Sequence, residues 1–190
     1  MVSDELTPAG RRVLDAASAL FYANGIHAIG VDTIAAEAGV TKKTLYDRFG
    51  SKEALVLRYL RERETQWQVQ LGEALARHTE AGPERVLAVF DAAIERVGHA
   101  GGRGCSAINA RAEVDDPDDD LAREVLAQKA GMRKLFRRLV SEAGYADPDE
   151  LAKSLMLLYD GALATDGVGT FAAPMRAAQR TARRLLDGWS

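Results

Sequence analysis

Residues 31–52, VDTIAAEAGVTKKTLYDRFGSK, constrain this chain more than any other stretch. They read as two short helices joined by a tight turn and running straight into a third. Asp32 and Thr33 can cap the first helix, whose apolar positions are Ile34, Ala35 and Ala38. Gly39 supplies the left-handed residue that ends it, and Val40 plugs the turn. Thr41 caps the second helix, which carries Leu45 and Phe49 on one face; Gly50 closes it and Ser51 caps the next. Two helices so arranged make a helix-turn-helix, which offers its second helix to a DNA major groove.

The 100° step of that second helix assigns its outward face. With Leu45 and Phe49 inward, Lys43 and Asp47 point away from the domain, flanked by Thr44 and Arg48 on one side and Lys42 and Tyr46 on the other. Lys43 suits the O6/N7 edge of guanine; Asp47 can accept from cytosine N4 or orient Lys43 as an i,i+4 partner. Tyr46, Arg48, Thr41 and Thr33 are better placed for phosphates, as is Lys52 at the start of the following helix. A corner with solvated charges is the alternative. Against it, residues 41–52 set Lys42, Lys43, Arg48 and Lys52 against Asp47 alone, a local charge of +3 in a chain of −3.

The run VDTIAAEAGVTKKTLYDRFGSKEAL resembles the TetR family of one-component bacterial transcription regulators, over about the first 55 residues. TKKTLYDRFGSKEAL looks like that family's recognition-helix signature, a Thr-Leu-Tyr core followed by a Phe and a Lys. On this likeness Lys43 and Thr44 fall at base-facing positions, and Thr33, Thr41, Tyr46 and Lys52 at phosphate-contacting ones. Asp47 departs from the aromatic residue common at its position. GCSAINARAEV, residues 104–114, is more weakly similar to a segment of some members' ligand domains.

The rest of the chain reads as helices. Thr7-Pro8 opens one that runs to about Asn24, with Val13, Leu14, Ala17, Leu20 and Phe21 inward and Gly25 as its stop. His27 then reads as a loop residue rather than a ligand or base. A long helix from Ser51 to about Arg77 carries Leu57, Leu60, Trp67, Leu71 and Leu75, interrupted by Glu64. Gly82-Pro83 starts another, with Val86, Phe90, Ala93, Ile94 and Val97 inward, and Gly98, Gly101, Gly102 and Gly104 make a flexible break. In the short helix of residues 105 to about 114, Asn109 either lines a pocket or satisfies a nearby backbone group. Cys105 reads as a small buried filler before a redox thiol. The acidic residues around Pro117 suit a helix N-terminus and lack the glycine and glutamate of a calcium loop. That helix runs to about Ala143, with Arg133, Lys134, Arg137 and Arg138 toward its end.

Asp147-Pro148-Asp149-Glu150 reads as a capping box before a helix to about Thr165 that is apolar nearly all round. In the last helix, from Pro174, Met175, Ala178, Ala182, Leu185 and Trp189 form a heptad-like seam. Two such helices per subunit predict a four-helix homodimer interface about a twofold axis, and the resemblance implies the same.

The expectation is therefore an all-α protein of about nine helices. A helix-turn-helix DNA-binding domain spans residues 1–52, and a helical ligand-binding and dimerisation domain spans 53–190. The resemblance implies a dimeric regulator, a repressor, that binds a palindromic double-stranded operator and is released by a small-molecule effector. Trp67, Leu71, Phe90, Asn109, Phe136 and Tyr159 are the candidate pocket residues; with few inward charges among them, an apolar or weakly polar ligand is expected. The same list also describes an ordinary core. A DNA-binding dimer without a small ligand and a helical enzyme are the alternatives. No catalytic triad, metal-spaced His/Cys cluster or phosphate-binding glycine loop is present, so neither catalysis nor a metal or cofactor is expected. A polar N-terminus, one cysteine and no long apolar run predict a cytoplasmic protein without a membrane span.

Overall fold

The structure, a computed structural model, describes residues 6–99 and 103–189, apart from the side chains of 98 and 99. Among the described residues there are nine helices and no strand: α1 (Pro8–Asn24), α2 (Val31–Glu37), α3 (Lys42–Phe49), α4 (Lys52–Ala76), α5 (Pro83–His99), α6 (Ser106–Ala112), α7 (Asp120–Glu142), α8 (Pro148–Val168) and α9 (Pro174–Gly188). They form two compact units. The first holds the residues up to Glu64 together with 106–125; the second holds 65–105 together with the residues from Leu126 onward.

The first half of α4 buries Leu55, Val56, Tyr59 and Leu60 in the first unit, and the helix crosses into the second beside Glu64, the residue that interrupts its apolar pattern. Residues 106–125 also return to the first unit.

In the first unit, α1 begins as expected: Thr7 Oγ1 accepts from the Gly10 amide at 3.2 Å and Pro8 takes the first helical position. Val13, Leu14, Ala17 and Phe21 are buried, and the edge of Phe21 meets Tyr59 with ring centroids 5.6 Å apart. The capping of α2 is not as expected. Gly30 is its N-cap and no side chain closes it, so Asp32 and Thr33 stand exposed inside the first turn. At its end Gly39 is left-handed, with φ +62°, and the Val40 amide returns to the Ala35 carbonyl at 3.0 Å. α6 is shorter than expected, ending at Ala112 and leaving Glu113 in the turn beyond it. Pro117 precedes α7 rather than opening it, because Asp119 takes the capping role and accepts from the Leu121 amide at 2.7 Å.

In the second unit, α5 is the central helix. Val86 to Ala93 are buried except Asp91, where the sequence marked a single inward face. α5 also continues through Gly98; Gly101 and Gly102, expected in a break, lie outside the described residues, as does the segment before Leu6. Gly104 has φ +70°, and a Cβ there would stand 2.4 Å from the Leu163 carbonyl oxygen, so the backbone rests directly on α8. No basic residue occupies the last turn of α7; Arg137, a turn earlier, pairs with Asp149 at 2.8 Å.

Two expectations about the last helices are corrected. The capping box at α8 does not form: Asp147 is itself left-handed, at φ +44°, and Glu150 pairs with Lys153 instead. The α9 seam is used within the chain. Met175, Ala178, Ala182 and Leu186, rather than Leu185, are buried as α9 packs on α5 and α8, with Leu185 and Trp189 half-buried beside them. Apolar surface stays open on α8, where Leu157, Gly161, Ala164 and Val168 form one exposed stripe, Leu157 at 75% and Val168 at 73%; Val69, Leu126 and Phe171 are exposed elsewhere in the second unit.

Candidate nucleic-acid interface and bundle interior

Recognition-helix geometry starts from Leu45, which has no exposed surface and anchors α3 against α1 and α2. Thr41 Oγ1 accepts from the Thr44 amide at 3.1 Å, and the two hydroxyls lie 2.9 Å apart, so both are partly satisfied before any ligand arrives. The 100° step then presents Lys42, Lys43, Tyr46, Asp47 and Arg48 to solvent, with Thr44 half-buried. Lys43 Nζ donates to Asp47 at 2.7 Å, the i,i+4 partnership that the spacing allows. Lys42 reaches Asp32 at 3.1 Å, which ties the start of α3 to the first turn of α2. Thr33 is exposed on α2.

Lys52 is held differently from its neighbours. Its ammonium donates to the Ile26 carbonyl at 2.8 Å, inside the loop between α1 and α2. At the same helix start Ser51 Oγ accepts from the Ala54 amide. The Glu53 carboxyl is held below the usual glutamate range by its own backbone amide and the Ser51 hydroxyl, aided by the Lys52 charge.

Several structural partners were not visible in the sequence. Arg12 donates to the Ala38 carbonyl at 3.2 Å and closes the end of α2. Arg63 lies over the Tyr22 ring, 4.3 Å from its centroid, and donates to Ser106 Oγ. Glu113 accepts from the amides of Ile26 at 2.9 Å and His27 at 2.6 Å, and one of its oxygens lies 2.9 Å from His27 Nδ1. Burial pushes this carboxyl up, but the two amides and the His27 ring together hold it below the usual range. His27 is thus a hydrogen-bonded loop residue, as expected. Only the lone acid between Arg111 and Val114 marks Glu113 in the sequence, and its partners lie 86 and 87 residues away.

Five of the six candidate pocket residues come together in the core of the second unit: Trp67, Leu71, Phe90, Phe136 and Tyr159. Tyr159 is the hub. Its ring centroid lies 6.2 Å from Trp67, 6.2 Å from Phe90 and 6.1 Å from Phe136, and Phe90 and Phe136 are 5.8 Å apart. These rings pack on one another. Asn109 is not among them; it is half-buried in the first unit. A groove of about 250 Å³ in the second unit is lined elsewhere, by Ala74, Arg77, Asp91, Ile94 and Arg176 among others. Among the described residues no polar or charged residue is fully buried, no group of three or more potential metal ligands is found, and no helix is long and apolar enough to cross a membrane.

A capped, basic, outward-facing helix mounted on a three-helix platform defines a helix-turn-helix protein of the DNA-binding class. Residues 13–59 match the family model for bacterial regulatory proteins of the tetR family. The whole chain is similar to SCO4454, a TetR-family transcriptional regulator from Streptomyces coelicolor, with 32% identity and a TM-score of 0.85 over 95% of this chain and 93% of that one. It is also similar to the TetR-type regulator sav143 of Streptomyces avermitilis, with 31% identity and a TM-score of 0.79 over 96% and 99% of the two chains. The transcriptional activator FasR of Mycolicibacterium smegmatis is 36% identical over 88 residues, which span 46% of this chain and 40% of that protein. The chain belongs to the TetR family of transcriptional regulators.

Proposed function

We propose that this regulator works as a homodimer that binds a two-fold-symmetric operator and represses by occupying it. The outward face of α3 carries the reading: Lys42, Lys43, Tyr46, Asp47 and Arg48 are exposed together on one side of a helix whose other side is locked by Leu45. In this reading Lys43 and Thr44 meet base edges, with Asp47 orienting Lys43, and Thr33, Thr41, Lys42, Tyr46, Arg48 and Lys52 serve the phosphates. The α8 stripe supports the dimer. Leu157 and Val168 supply apolar area, and Gly161 and Ala164 allow a second α8 to approach closely. Two recognition helices must then lie roughly 34–36 Å apart to enter successive major grooves. Cytoplasmic residence follows from this role.

An apolar or weakly polar effector is favoured by the aromatic interior around Tyr159. It must bind the DNA-incompetent conformation more tightly than the competent one, since equal affinity shifts nothing. The mutual packing of the rings favours a second reading, a DNA-binding dimer with no small ligand. The name of FasR favours activation as a second sense of regulation.

Selection of bound duplexes from a genomic or random pool tests the DNA reading. A recovered palindrome whose binding is lost in Lys43→Ala or Tyr46→Ala supports it, and a protein that enriches no duplex at low salt defeats it. Titration with the apolar dye N-phenyl-1-naphthylamine separates the ligand readings: saturable uptake that releases the selected duplex supports an effector, and no uptake supports the ligand-free dimer.

A further inference from the structure

Ile26 is held on both sides of its backbone. Its amide donates to Glu113 and its carbonyl accepts from Lys52, at 2.9 and 2.8 Å. Neither partner belongs to the three helices that carry the DNA-reading face. Lys52 begins α4, and Glu113 stands just beyond the end of α6. The loop they hold leads from Gly25 to Gly30, the N-cap of α2, and α2 is tied to α3 through the pair Asp32–Lys42. Two charges from outside these helices therefore restrain the entry into α2, in addition to the packing of α2 and α3 on α1. Close approach is built in: Gly25 has φ +93°, and a Cβ there would lie 3.2 Å from a Glu113 oxygen.

We propose that Glu113 is a positioning residue for DNA recognition, its carboxylate bridging the Ile26 and His27 amides to hold α2 and α3 in the pose that fits the groove. This rests on the DNA reading of α3. Glu113 touches no phosphate in this account; it acts by reducing the conformational freedom that binding must otherwise remove. The two amide bonds carry the effect, because a carboxylate accepting from consecutive amides restrains the peptide itself. The contact to the exposed His27 ring only adds to it.

The test uses the full-length protein and the duplex that the wild type selects. Glu113→Gln keeps the volume but sets an NH2 group against at least one backbone N–H. It is expected to bind that duplex roughly five- to twentyfold more weakly. Its dependence on salt and its affinity for an unrelated duplex stay unchanged, while the Ile26 and His27 amides exchange faster with solvent. His27→Ala keeps both amide bonds and stays within about twofold of wild type. Glu113→Gln binding like wild type overturns the proposal. So does an equal loss of affinity for the unrelated duplex, or a loss that His27→Ala reproduces in full. A wild type that selects no duplex overturns the DNA reading and this inference with it.

Discussion

Lys52 and Ile26 are joined across the base of the helix-turn-helix by a 2.8 Å hydrogen bond from ammonium to carbonyl. The first cation of α4 is therefore already engaged when DNA is absent. Lys52→Met should destabilise the first unit by about 1–2 kcal/mol in a denaturant titration, through loss of a charge-assisted bond. If the ammonium serves only the loop, the slope of log affinity against log salt stays at its wild-type value. If it also neutralises a phosphate, that slope falls by about one unit.

Freeing Lys43 from its partner gives a second expectation. In Asp47→Ala the ammonium loses its 2.7 Å tether, and one negative charge leaves the face presented to DNA. Affinity for an unrelated duplex should rise by roughly two- to fivefold, narrowing the preference for the selected one. Fluorescence anisotropy at fixed ionic strength measures both.

The exposed stripe on α8 predicts the outcome of Leu157→Arg. Burying an unpartnered guanidinium between two copies is costly, so sedimentation should show a monomer with undiminished helical circular dichroism. Operator affinity should then drop by on the order of a hundredfold, because the second half-site no longer binds intramolecularly.

Acid should act on the first unit through Glu113. Its folded pKa lies below the ordinary glutamate value of 4.5, so its contribution to stability is present above that value and is lost as pH falls through the lower, folded one. Melting temperatures taken downward from about pH 6 should fall more steeply below 4.5 in wild type than in Glu113→Gln, which has no carboxyl to protonate there.

Gly104→Ala should be among the most damaging small substitutions. The added methyl meets the Leu163 carbonyl oxygen at 2.4 Å and inherits a left-handed backbone. A loss of roughly 2–4 kcal/mol in equilibrium unfolding is expected.

Local grammar carried far into this fold. The Thr7, Thr41 and Ser51 caps, the Gly39 and Gly50 stops and the inward Leu45 all stand where side-chain chemistry and the 3.6-residue period put them. The failures have two causes, where a helix begins and what lies across the chain. Asp32 suits a cap, but α2 starts at Val31 with Gly30 as its N-cap, which leaves Asp32 inside the first turn. The α9 seam was a plausible subunit contact, but α5 and α8 of the same chain cover it. Periodicity tells that a face is buried and not against which partner. On the candidate surface the outward set of α3 was legible as exposure. The engagement of Lys52 with Ile26 and the bridge from Glu113 were not, since both depend on distant backbone atoms. Inside the bundle the large aromatic residues were legible as inward groups, but not that they would fill the space between one another.

The contact between Trp67 and Tyr159 gives the molecule an indicator of its own. The indole tilts 40° against the phenol at 6.2 Å, with the Arg96 guanidinium over its ring at 5.5 Å. A guest entering among these rings must wedge them apart, altering both the polarity and the quenching felt by the indole. Trp67 emission would register such a guest without any label, read cleanly in Trp189→Phe, since the second indole emits in the same band.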